Sequence, residues 1–63
     1  MRMNIMFGLD HVEPQDRQAE AGRLLAALTE TLAMADTTLE VGDALILRDV
    51  NGNRIGVADV FDN

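Results

Sequence analysis

The chain has 63 residues, with five arginines against eleven aspartates and glutamates, a formal net charge of −6 and a pI near 4.3. It contains no Cys, Ser, Lys, Tyr or Trp and one histidine, His11. Disulfides, thiolate metal sites and most catalytic nucleophiles and bases are thereby excluded. With so few cations, and Phe7 and Phe61 as the only aromatics, direct nucleic-acid contact is disfavoured too.

A chain this short buries only about 60% of the surface its unfolded form exposes. One domain over residues 1–63 is expected, with a thin core and, in place of covalent staples, self-association as a homodimer. Asn4, Gly8 and Asp10 interrupt the opening segment before it reaches the length of a signal-peptide apolar region. No stretch approaches a membrane span, so a cytoplasmic protein with no membrane contact is expected.

Met3, Ile5, Phe7 and Leu9 alternate with more polar neighbours, Met6 excepted, and predict a first strand. Pro14 then suits the first turn of a helix, where its missing N–H needs no partner, and Glu13 and Asp16 favour the positive end of the helix dipole. From Pro14 to about Ala35 the period is helical. Ala21, Leu24, Leu25, Leu28, Leu32 and Ala35 form a core stripe, and Ala19, Gly22, Ala26, Thr29 and Ala33 form a second stripe of small residues. Glycine costs about 1 kcal/mol in mid-helix, so Gly22 invites a packing reason: a close helix contact with a second copy or another protein. Asp36, Thr37 and Thr38 end the helix.

The run ALILRDV, Asn51-Gly52, NRIGVADVF predicts a β-hairpin, since Asn-Gly suits the two positive-φ positions of a type I′ turn. A two-residue loop pairs Val50 with Asn53, Asp49 with Arg54, Arg48 with Ile55, Leu47 with Gly56, Ile46 with Val57 and Leu45 with Ala58. One face then holds Leu45, Leu47, Ala58 and Val60, and the other Ala44, Ile46, Val50, Ile55, Val57 and Phe61. A single helix covers one of these. Ile46, Ile55 and Val57, with Ala19, Gly22, Ala26 and Ala33 of the helix, are therefore the expected oligomer or partner interface. The fold expected is α+β in the order β-α-β-β, one helix on a three-stranded sheet.

Asp49, Asn51 and Asn53 imitate the start of a calcium loop, but Arg54 stands where glycine is needed and Val60 where a bidentate glutamate is needed; a turn explains them better. His11 between Asp10 and Glu13 is a weak metal or acid/base signal, better read as a surface or capping histidine. No metal, cofactor or enzymatic activity is expected.

The hairpin register gathers Asp43, Asp59, Asp62 and the terminal carboxylate at its open end, with Asp36 and Glu40 entering just before. Such a cluster can steer a basic partner and occupy a phosphate-binding groove. The expected function is a non-enzymatic binding protein that uses Asp36, Glu40, Asp43, Asp59 and Asp62 to occupy a basic, nucleic-acid-binding surface of a larger protein. In size, acidity and missing catalytic inventory the chain resembles the small inhibitors of phages and other mobile elements, such as anti-CRISPR proteins. That resemblance is one of composition alone and transfers no residue. The competing expectation is an assembly subunit whose apolar faces build a homo-oligomer.

Overall fold

The structure, a computed structural model, describes residues 1–36 and 38–62. The elements run β1 (Arg2–Phe7), a 3-10 turn (Pro14–Asp16), α1 (Arg17–Met34), β2 (Ala44–Arg48) and β3 (Arg54–Phe61). This is the expected β-α-β-β order. The strands form one antiparallel sheet in the order β1-β3-β2. After β1 the helix carries the chain across the sheet, β2 lands one strand's width away, and the hairpin returns β3 into the gap. The longest strand thus becomes the central one.

Pro14 opens the helical segment, with the Arg17 amide donating to the Pro14 carbonyl. The Arg17 side chain donates back to the Val12 carbonyl at 3.1 Å, fixing the entry to α1. At the other end Ala35 turns extended, and no basic residue occupies the last turn. The terminating triplet was read as Asp36, Thr37 and Thr38; Thr37 lies outside the described residues.

Leu24 and Leu28 of α1 pack on Leu47 and Ala58, with Phe7, Leu9, Leu32, Leu45 and Ile55 around them. Each buried leucine contributes about 1.5–3 kcal/mol of apolar transfer, but few residues are involved. Among the described residues the buried hydrophobics are Leu24, Leu28, Leu47, Ala58 and Val60. The helix stripe is narrower than its periodicity suggested: Leu25 is 45% exposed and Ala35 is exposed too. Among the strands, α1 approaches β2 most closely, so its flank toward β1 stays open and Ile5 there is 42% exposed.

The hairpin corrects the sequence reading in two places. Gly52 has φ +85°, but Asn51 does not have a positive φ, so the turn is not type I′. Instead the Gly52 amide donates to the Asp49 carbonyl at 3.0 Å and the Asp49 amide to the Asn53 carbonyl at 2.9 Å. That closes a three-residue loop, Val50 to Gly52, with glycine in the left-handed position. The longer loop shifts the pairing by one, so Arg48 faces Arg54 rather than Ile55. A bulge next to Leu47 and Arg48 then absorbs Ile55 and restores the expected pairs Leu47 with Gly56, Ile46 with Val57 and Leu45 with Ala58. Two departures cancel. Their residue is Ile55, which was placed on the outer face and instead packs against the core.

Gly56 stands where β1 comes closest. A Cβ there would run into the Met6 carbonyl oxygen and the Cα and Cβ of Phe7, its neighbour across the ladder. Glycine inside a strand marks such an approach.

Candidate functional site: an acidic end and a bare sheet face

The hairpin turn and the start of α1 lie at one end of the molecule; the end of α1 and the start of β2 lie at the other. At the turn end, charge is wired into the fold. Arg23 grips Glu20 with two hydrogen bonds, 2.6 and 3.0 Å, and donates to the Arg48 carbonyl at 3.1 Å, joining helix to hairpin. Hydrogen bonding from Arg23, and then its charge, hold the Glu20 carboxyl below the ordinary range. Asp49 accepts from the amides of Asn51 and Asn53 at 2.9 and 2.8 Å and from the Asn53 side chain at 3.1 Å. The Asn53 amide is the main reason its carboxyl is also lowered. The calcium-loop imitation is thus an Asx turn, with the Asp49 oxygens aimed at N–H donors. The carboxylate nearest His11 is Glu20 at 3.8 Å, not the Asp10 or Glu13 that flank it in sequence.

The opposite end holds its carboxylates differently. Asp36, Thr38, Glu40 and Asp43 line one open hollow with no arginine in it. A β-turn from Glu40 to Asp43 shapes its rim: the Asp43 amide donates to the Glu40 carbonyl at 3.1 Å, Gly42 has φ +99°, and Asp43 Oδ2 accepts the Glu40 amide at 2.9 Å. The negative end of the α1 dipole points this way, with no basic residue in the last turn to offset it. Asp43 also borders a neighbouring hollow of about 410 Å³ lined by Thr31, Leu32, Ala35, Leu39, Ala44 and Leu45. Four of the five arginines, Arg17, Arg23, Arg48 and Arg54, belong to the far end; only Arg2, opposite Phe61, is on this side.

Of the five carboxylates read as one patch, Asp36, Glu40 and Asp43 come together. Asp59 does not join their hollow. It sits mid-strand on the outer face between Asn4 and Ala44, with Oδ1 buried and unpartnered. Asp62 follows β3 and meets the Met1 amine at 3.7 Å, an exposed pair of little energetic weight. The terminal carboxylate, on Asn63, lies outside the described residues. Sequence reasoning missed the apolar hollow, because Leu39 and Leu45 are brought beside Leu32 only by the chain's return after α1; the signal available was Leu39 in a largely polar connection.

The small-residue helix stripe, Ala19, Gly22, Ala26, Thr29 and Ala33, is exposed throughout. A Cβ on Gly22 would meet nothing within 4 Å, so packing within the chain does not require that glycine. The outer sheet face is bare as well. Ile46 and Val57 lie on it, in one row with Met6, which is 65% exposed. Met6 was the exception to alternation in the sequence, and the register explains it. No helix among the described residues is long and apolar enough to cross a membrane. Comparison with protein-family models, with curated proteins and with solved structures gives no match for the chain.

Proposed function

We propose that this chain is a non-enzymatic, cytoplasmic binding protein that sets its acidic end against a basic, nucleic-acid-binding surface of a larger protein, as an inhibitor of the phage or mobile-element type. One observation carries the reading: Asp36, Glu40 and Asp43 line a single hollow at the negative end of α1, with no arginine among them. Carboxylates so placed imitate the charge of a phosphate backbone and steer association with a basic groove. The adjoining hollow between α1 and β2 offers apolar contact at the same rim, so that binding does not rest on charge alone.

The test is capture from a host lysate on the immobilised protein, identification by mass spectrometry, and competition by duplex DNA or RNA. The reading expects a basic nucleic-acid-binding protein that salt and nucleic acid both release. Asp36→Asn with Glu40→Gln and Asp43→Asn should lose it, since the amides keep the turn acceptor but not the charge. Capture of the same protein by the triple variant, with unchanged salt dependence, would remove the acidic end from the interface.

A further inference from the structure

The face of the sheet turned away from α1 carries a row of apolar side chains across all three strands, Met6, Val57 and Ile46. Met6 is 65% and Ile46 40% exposed, and the core beneath is thin. Along β3 this row is bracketed by opposite charges. Asp59 is the next outward residue toward the acidic end, beside Asn4 and Ala44. Toward the turn end the next outward residue is Arg54, because the bulge takes Ile55 to the core side. Arg48 is its cross-strand partner, and like charges directly opposite repel. Neither charge is satisfied among the described residues: Asp59 Oδ1 is buried without a donor, and the Arg54 side chain makes no hydrogen bond or ion pair there.

We propose that this face is a homodimer interface, in which a second copy packs face to face about a two-fold axis running along the Met6, Val57 and Ile46 row. Rotation about that axis sets the row upon itself, reverses the strand direction, and carries Arg54 of one copy over Asp59 of the other. Symmetry makes the contact twice. Stacked sheets lie about 10 Å apart, a gap that Met, Val and Ile fill from both sides and that an arginine can span to reach the Asp59 carboxylate. The other face-to-face two-fold, along the strands, would set Asp59 over Asp59 and Arg54 over Arg54. Charge complementarity selects the first. This inference goes beyond the acidic-end reading and leaves that end free in both copies.

Sedimentation equilibrium of the full chain on the order of 100 µM should show a dimer. Arg54→Asp and Asp59→Arg should each raise the dimer dissociation constant at least about tenfold, because each sets like charges against one another. Mixed in equal amounts, the two variants should associate as strongly as the unaltered protein, since each supplies the charge the other lacks. Met6→Glu, on an edge strand and exposed, should give a folded monomer by circular dichroism and so separates loss of association from loss of fold. A monomeric unaltered protein at that concentration, a dimer indifferent to Met6→Glu, or a mixture no stronger than its components would each overturn the proposal. A dimer lost in Gly22→Leu with Ala26→Leu but kept in Met6→Glu would move the interface to the helix.

Discussion

The two ends of this molecule carry similar numbers of carboxylates and use them in opposite ways. At the turn end Glu20 and Asp49 are hydrogen-bonded into the fold, Glu20 to a guanidinium and Asp49 to backbone amides. At the other end Asp36, Glu40 and Asp43 share a hollow with no cation, and the hydrogen bonds there are the two between Glu40 and Asp43 that close their turn. Composition alone does not separate them. What does is the position of the arginines, four of which the helix and hairpin bring to one end.

The comparison predicts that substitutions near the turn end cost stability and those at the acidic end do not. The largest effect belongs to Gly56→Val. Its side chain has no room beside Met6 and Phe7, and opening the β1–β3 ladder to admit it should cost at least about 2–3 kcal/mol in urea denaturation. Gly52→Val follows, at about 1–2 kcal/mol, because a β-branched residue must then hold φ +85°. If Gly52→Val were silent while Gly56→Val unfolded the protein, the loop would be plastic and the ladder would be the rigid part of that end.

A smaller effect appears in pH. The lowered carboxyls of Asp49 and Glu20 contribute stability that is present above the ordinary carboxylate range and is lost as pH falls through their lowered folded values. Melting temperature should therefore decline on that acid limb, and Asp49→Asn should flatten part of it. An unchanged limb would mean that the Asx turn holds equally well with the acid protonated. The smallest effect is expected at the other end. Asp36→Asn, Glu40→Gln and Asp43→Asn together should alter stability by no more than about 0.5 kcal/mol, since unpaired like charges gain little from one another. A large loss there would show that these carboxylates serve the fold after all.

The fold class was legible because the periodicities are clean: two in the strands, 3.6 in the helix, each bounded by Pro14, Gly42 or the Asn-Gly pair. Most pairings of the hairpin were legible as well, although for a reason the sequence does not display. A two-residue loop with regular pairing and a three-residue loop with one bulge consume the same number of residues, so they agree from the Leu47–Gly56 pair onward and differ only in the turn-end stretch between Arg48 and Ile55. Propensity favours the Asn-Gly turn; the Asp49 side chain, accepting two amides and the Asn53 side chain, favours the longer one. For the acidic end, Asp36, Glu40 and Asp43 do come together, whereas Asp59, although the register sets it beside Ala44 as expected, lies on the outer face of the sheet and does not line their hollow.

The central place of β3 also governs when the molecule can assemble. Both ladders run through Arg54–Phe61, which follows the other described elements in chain order, and β1 must wait until α1 and β2 have been made before its partner strand exists. A chain emerging during synthesis as far as residue 53 has a helix and two strand segments that do not adjoin each other in the sheet. Such long-range pairing slows folding and leaves strand edges open meanwhile. Of the elements that come first, α1 alone satisfies its own backbone, so it is the piece able to form early, and the sheet closes in one late step when its middle strand arrives.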